Sequence, residues 1–188
     1  LIEDYAQLLK RHNAKPWTAE LTPWRYSDPL VCPDLEFIFE LAHKHQLKVN
    51  LTTNGVSFTE KNCKIIQKYL ECVSKIHISI IGYTEEEIKE FMGVNWKVTK
   101  ARLMAVKANY PEISKRMEIG VKHKNQNVDK KRRQEIASEL SKITLGRVKA
   151  KNTWMRNRMG AGDGVWMPGA EFNINEKNFV QGCSMVQG

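Results

Sequence analysis

The fold is decided by residues 47–55, which read LKVNLTTNG. The first part of this stretch alternates between apolar and polar side chains, a pattern typical of a half-buried β-strand. Asn54 and Gly55 then form a turn signal, because glycine adopts positive φ without steric cost. Outward from this stretch the hydrophobic period switches repeatedly between strand-like and helix-like, which predicts an α/β chain.

Four further strands are predicted, at residues 18–25, 74–81, 115–122 and 145–152. The strand centres are roughly 30 to 40 residues apart, which is the rhythm of βα units with right-handed crossovers. Helices are predicted at residues 1–13, from Pro33 and Asp34, after Thr59, from Thr84 to Met92, and at 95–109 and 128–142. The pattern favours a parallel sheet, either barrel-like or doubly wound, and in both types ligands bind at the carboxyl ends of the strands.

The composition narrows the class of protein. A chain of 188 residues with 41% hydrophobic content fits one folded domain and not a disordered segment. Its apolar runs are too short for a membrane-spanning helix, and we find no signal-peptide pattern. The four cysteines include no CxxC pair, which favours free thiols in a reducing, cytoplasmic compartment. Because Leu1 already lies inside an amphipathic pattern, we expect the chain to be a piece of a longer protein.

The net charge of +9 has one dense source, at Lys130–Arg133. A basic patch of this kind can bind nucleic acid or an acidic partner. The patch also begins a helical pattern whose apolar face is Ile136, Leu140 and Ile143, so a solvated helix face is the favoured interpretation. The alternative hypothesis is a basic, non-enzymatic binding module.

Small and polar residues follow the predicted strands at their carboxyl ends. They are YSDPL at 26–30, TTNG at 52–55, Ser79 with Gly82 and Tyr83, and the segment 153–158. Each of these also has an ordinary structural interpretation, since turns and helix starts need the same residue types. His77 alternates with Ile76 and Ile78 and is interpreted as a hydrogen-bonded structural histidine.

Three of these segments, in this order and spacing, resemble the radical S-adenosylmethionine superfamily. Residues 24–35, WRYSDPLVCPDL, are similar to the family's segment with a GGEP-like motif before a helix. Residues 52–55 resemble its TNG motif, and residues 77–82, HISIIG, resemble its iSidG segment. The resemblance covers roughly residues 1–158. It implies a partial parallel (β/α)6 TIM-like barrel, here missing the first strand and the cluster loop.

The resemblance also implies cofactors and a reaction. The family holds a 4Fe-4S cluster on a CxxxCxxC loop, which would lie upstream of Leu1 in a longer chain. One electron, ultimately from an external electron donor, cleaves S-adenosylmethionine to a 5′-deoxyadenosyl radical. That radical abstracts hydrogen from a substrate, for which the resemblance suggests a peptide or protein. Without the loop, the present piece is expected to be inactive. An ordinary α/β enzyme with another cofactor is the third hypothesis.

The binding residues implied by the resemblance follow its motifs. Ser27, Asp28 and Pro29 would lie at the methionine amino group, with Asp28 in place of the usual glutamate. Thr53, Asn54 and Gly55 would lie near the ribose and methionine moieties. Ser79 would face the same ligand from the next strand, and no catalytic residue is carried over.

The predicted second region is residues 159–188, a glycine-rich linker after the barrel segment 1–158. Residues 154–160 and the later Gly182-Cys183-Ser184 resemble the entry to a SPASM-type extension. The resemblance makes Cys183 a candidate ligand of an auxiliary cluster. A free thiol in a tail is the equally open alternative.

Overall fold

The computed structural model describes residues 2–24, 27–123 and 129–150, together with the backbone of two short strands at 172–174 and 180–182. The chain divides into two compact units, Leu1–Trp154 and Met155–Gly188. The first unit contains the sheet that the sequence predicts, and the second contains a pair of antiparallel strands.

The first unit is an α/β fold with a five-stranded parallel sheet in the order β1-β2-β3-β4-β5. The strands are β1 (Glu20–Leu21), β2 (Lys48–Thr53), β3 (Val73–Ile81), β4 (Met117–Lys122) and β5 (Arg147–Ala150). The helices are α1 (Ile2–Arg11), α2 (Leu35–Lys44), α3 (Glu60–Lys68), α4 (Glu85–Met92), α5 (Trp96–Asn109), α6 (Pro111–Lys115) and α7 (Lys130–Ser141), with 3-10 turns at Pro29–Val31 and Leu70–Cys72. The α/β class and the parallel sheet are therefore confirmed.

The strand order places the helices. Each strand pairs with the next one along the chain, so every crossover steps in the same direction. Right-handed crossovers of this kind put their helices on one face of the sheet. A doubly wound sheet reverses its order at a switch point, and no reversal occurs among these five strands. The order is compatible with a partial TIM-like fold.

Alternation along β3 shows which face carries the core. Ile76, Ile78 and Ile80 are buried, whereas the residues between them are only half-buried. On the buried face they join fully buried helix residues such as Phe39 of α2 and Leu103 of α5. Burial of such side chains contributes about 1.5–3 kcal/mol each, so this helix–sheet layer supplies most of the unit's stability.

Helix starts follow local sequence signals. The Thr59 hydroxyl accepts a hydrogen bond from the Asn62 N–H, and Asn95 caps α5 in the same way. Thr84 and Glu87 form a reciprocal capping box at the start of α4. Side chains at these positions satisfy N–H groups that a helix leaves unpaired at its first turn. The helix starts predicted after Thr59 and from Thr84 are confirmed.

The predicted bounds of β1 and β4 were wrong, and β5 likewise begins at Arg147 instead of residue 145. β1 covers Glu20–Leu21 instead of residues 18–25, because Pro23 has no N–H to donate to a ladder. β4 begins at Met117 instead of Lys115 because α6 precedes it, with Pro111 in its first turn. A proline ends one helix and is also well suited to begin another.

The second unit is described only at its two strands. β6 (Phe172–Ile174) and β7 (Val180–Gly182) pair antiparallel, with Asn173 opposite Gln181. The sequence pattern predicts no strand in this region. Cys183, the candidate auxiliary-cluster ligand, lies outside the described residues.

Within the described ranges, no helix combines the length and the apolar character that crossing a bilayer requires.

Candidate functional site

The face of the sheet opposite the helices is polar. The register pairs Thr52 with His77 and His77 with Glu118, and it pairs Ser79 with Gly120. Paired residues of parallel strands point to the same face, and residues two apart along a strand share it. We call this set the polar face: Asn50, Thr52, Lys75, His77, Ser79, Glu118, Gly120, Lys122, Arg147 and Lys149.

A row of charges crosses the middle of the polar face. The Lys149 ammonium donates to Glu118 Oε2 at 2.7 Å, and His77 Nδ1 lies 3.7 Å from Glu118 Oε1. The Lys149 hydrogen bond lowers the pKa of the Glu118 carboxyl, with help from the charges of Lys75 and His77 and against the effect of burial. The Glu118 side chain is only 13% exposed, so its charge is held between cations in a partly dry setting.

Gly120 makes room for the His77 imidazole. A Cβ atom at position 120 would lie 2.6 Å from His77 Cε1, well inside contact distance. The ring therefore rests against the backbone of β4, and Ser79, the register partner of Gly120, lies on the same face. His77 is half-buried within a charged row, a setting that alternation alone did not indicate.

At the carboxyl end of the sheet, Asp28 joins the first two motifs. One carboxylate oxygen, Oδ1, accepts from the Leu30 N–H at 2.9 Å and caps the 3-10 turn Pro29–Val31. The other, Oδ2, accepts from the Thr53 hydroxyl at 2.7 Å and from the Asn54 N–H at 2.9 Å. A carboxylate has about four acceptor positions, so one is left for a ligand.

The turn after β2 is also internally bonded. Thr53 Oγ1 accepts from the Gly55 N–H at 3.0 Å, and Asn54 Oδ1 accepts from the Val56 N–H at 2.9 Å. Gly55 has φ of +83°, which side chains rarely adopt. These bonds occupy the Thr53 hydroxyl and the Asn54 carbonyl, while the Asn54 amide nitrogen has no hydrogen-bond partner among the described residues.

Asn54 and Ser79 lie just beyond the paired part of β2 and β3. The ladder pairs residues as far as Thr53 with Ile78, and Asn54 and Ser79 are the next residues in the chain. Of the other residues named from the sequence, Ser27 is exposed and Pro29 is buried in the first turn position of the 3-10 turn. The structure thus gathers Asp28, Thr53, Asn54 and Gly55 at the end of β2, whereas Ser79 lies on the polar face of β3.

A second pair at this end of the sheet was missed from the sequence. Glu87 Oε1 lies 3.0 Å from His123 Nε2, joining the start of α4 to the residue after β4. The capping box identified Glu87 as a helix-start residue. The capping-box pattern does not indicate that Glu87 Oε1 would contact His123, which lies 36 positions later in the chain.

The described cysteines do not fit an iron–sulfur cluster. Burial raises the pKa of both Cys63 and Cys72 to about 11, with the nearby Glu60 and Glu71 adding to it, whereas cluster ligands are thiolates. Cys32 is half-buried and alone. Among the residues that the structure describes, no three His, Cys, Asp or Glu side chains are grouped to hold a metal.

The basic patch and one groove lie on the helices. Lys130, Lys131 and Arg132 are exposed on α7, whose Ile136 and Leu140 are buried, as expected for a solvated helix face. An open groove of about 500 Å³ between α2 and α3 is lined mainly by charges. In this groove Lys68 Nζ and Glu36 Oε1 form an ion pair at 2.8 Å. The residues that line the groove include none of the predicted site residues.

Comparison with known proteins adds no relative. No protein-family model matches this chain, and no curated protein matches it. Function must therefore be inferred from the residues and their geometry.

Proposed function

We propose that this chain is the S-adenosylmethionine-binding part of a radical S-adenosylmethionine enzyme. Its five strands would be strands two to six of a six-stranded partial barrel, with the polar face turned inward. The observation that carries the proposal is the union of two separate motifs, because Asp28 accepts hydrogen bonds from Thr53 and Asn54. Ser79 of the third motif follows Ile78, the last residue of β3 that pairs with β2.

The described residues offer a small set of free polar groups to such a cofactor. The Asn54 amide and the Ser79 hydroxyl are hydrogen-bond donors suited to the carboxylate and ribose oxygens of S-adenosylmethionine. The remaining acceptor position of Asp28 suits its ammonium group. The internal bonds of Asp28 and Thr53 would hold these groups in place before the cofactor arrives.

The cluster would supply the electron that cleaves the cofactor and so produces the hydrogen-abstracting radical. The described residues do not provide its thiolates. We therefore assign to them cofactor binding and orientation only. The substrate, as the resemblance implies, would be a peptide or protein that binds at the polar face.

Isothermal titration of the chain with S-adenosylmethionine tests the proposal. We expect a dissociation constant on the order of 1 mM or tighter. Asn54→Asp keeps the acceptor for the Val56 N–H but removes the free amide donor, and Ser79→Ala removes only a hydroxyl. Each should weaken binding about tenfold, the value of one good hydrogen bond.

Two matched variants serve as controls. Asn109→Asp and Ser138→Ala make the same chemical changes at exposed positions on α5 and α7, and binding should be unchanged in both. Binding that is absent in the parent chain, or equally weak in site and control variants, would count against the proposal.

A further inference from the structure

Glu87 organises a polar cluster beside, but separate from, the residues of the proposed cofactor site. Its Oε2 atom accepts from the backbone N–H groups of Tyr83 at 2.6 Å and Thr84 at 3.1 Å. Its Oε1 atom contacts His123 Nε2 at 3.0 Å. Burial acts to raise the pKa of the Glu87 carboxyl, but the bonds from His123 and the backbone outweigh it, and the pKa lies below its usual range.

An ionised Glu87 fixes the orientation of His123. A carboxylate only accepts hydrogen bonds, so His123 Nε2 carries the proton that is shared with Glu87. The imidazole then packs on the Tyr83 ring, with centroids 4.8 Å apart. The His123 side chain is 11% exposed, so the two rings form a wall at the carboxyl ends of β3 and β4.

Two donors next to this wall lack acceptors. The Tyr83 hydroxyl and the Arg133 Nε are buried atoms without a hydrogen-bond partner among the described residues. Burial raises the pKa of Tyr83, while the charge of Arg133 is near enough to lower it in part. Buried polar groups are nearly always paired in folded proteins, so two unpaired buried donors, close enough for the charge of Arg133 to act on Tyr83, indicate a missing acceptor.

We propose that Tyr83 and Arg133 form a binding site for an oxyanion, the carboxylate or phosphate group of a small ligand. A guanidinium has donors and no acceptor, and it favours a charged oxygen over a neutral one. The oxygens of Glu87 already accept three hydrogen bonds. This carboxylate is therefore not the acceptor for Tyr83 and Arg133. Both residues are half-buried as wholes, although the Tyr83 hydroxyl and the Arg133 Nε are themselves buried.

The site lies where parallel α/β sheets bind their ligands. Tyr83 follows β3 and His123 follows β4, both at the carboxyl ends. Arg133 comes from the first turns of α7 and is the one member of the basic patch that turns inward. The inference uses no residue of the proposed S-adenosylmethionine site, so either can fail without the other.

The test observes Arg133 itself. The experiment uses NMR spectroscopy of the 188-residue chain labelled with nitrogen-15. The side-chain Nε–H signal of Arg133 is assigned because it disappears in Arg133→Lys. Sodium phosphate and sodium acetate are then titrated separately, with sodium chloride holding the ionic strength constant. We expect a saturable shift of the Arg133 signal with at least one of the two anions, and the effective anion identifies the ligand group.

Variants separate a built site from diffuse charge. Tyr83→Phe, which removes one hydroxyl, should weaken anion binding about tenfold, and Tyr5→Phe should leave it unchanged. In Arg133→Lys the backbone amide signal of Tyr83 reports anion binding instead. Anion affinity should fall further in this variant than in Arg132→Lys. The remaining amide spectrum reports that each variant is folded. Absence of a saturable shift with both anions, or equal losses in Arg132→Lys and Arg133→Lys, would overturn the proposal.

Discussion

The Oδ2 atom of Asp28 lies 2.7 Å from the Thr53 hydroxyl, which comes 25 residues later in the chain. The bond ties the loop after β1 to the end of β2 at the carboxyl edge of the sheet. The same carboxylate caps the 3-10 turn through the Leu30 N–H, so one half-buried side chain links three pieces of backbone.

Replacing this carboxylate should be costly. Asp28→Asn keeps the size of the side chain but turns one accepting oxygen into a donor amide, which leaves at least one of its partners unpaired. We expect a loss of about 2 kcal/mol in the free energy of unfolding, measured by urea denaturation. Asp34→Asn is the matched control, because the exposed Asp34 side chain makes no cap hydrogen bond. Equal effects of the two substitutions would show that the Asp28 bonds are not stabilising.

Gly120 and His77 should be energetically coupled. In the parent chain, Gly120→Ala should destabilise by about 1 kcal/mol or more, because its methyl group displaces the imidazole. In a His77→Ala background the same change should be neutral or stabilising by about 0.4–1 kcal/mol, since alanine restricts the unfolded chain. A double-mutant cycle by urea denaturation measures this sign change. Additive effects would mean that the ring does not rest on Gly120.

The lowered pKa of Glu118 predicts a pH-dependent contribution to stability. A carboxyl whose folded-state pKa lies below its ordinary 4.5 stabilises the fold above that pH, and the contribution is lost as the pH falls through the folded-state pKa. Glu118→Gln should therefore be less stable than the parent at pH 7, by about 1 kcal/mol or less, and the difference should shrink as the pH falls below 4.5. Urea midpoints at several pH values check this. The exposed Glu112→Gln should show a smaller difference at pH 7, and a Glu118→Gln difference independent of pH would contradict the account.

The cysteines should differ sharply in reactivity. With Cys183→Ser as background, Cys32 should react with a thiol reagent at pH 8 in the folded protein. Cys63 and Cys72, with pKa values of about 11, have only about a thousandth of their thiols ionised at that pH, and both are buried. They should react only after unfolding in denaturant. Fast labelling of either one in the native chain would show that burial does not protect it.

Local signals made much of the fold predictable. β2 and β3 are long alternating strands, and their positions followed directly from that period. The caps at Thr59 and Thr84 involve residues three positions apart, so a short window of sequence contains both partners. α6 was missed because a proline that follows a predicted helix, here at 95–109, commonly marks a helix end, whereas Pro111 begins α6.

The contacts of the candidate site were harder to predict from the sequence than the fold, for a physical reason. The Lys149–Glu118 and Glu87–His123 contacts join residues more than 30 positions apart, and their existence depends on the register of neighbouring strands. The sequence predicted that polar residues would gather at the carboxyl ends. It could not show that the Asp28 carboxylate would accept hydrogen bonds from Leu30, Thr53 and Asn54.

The most direct test of the proposed function is an amide chemical-shift map of the labelled chain titrated with S-adenosylmethionine. We predict saturable shifts that are largest at Asn54, Gly55 and Ser79, where the ends of β2 and β3 meet. Shifts concentrated on α2 and α3 around Glu36 and Lys64, or no saturable shift at millimolar cofactor, would contradict the assignment of this edge as the cofactor site.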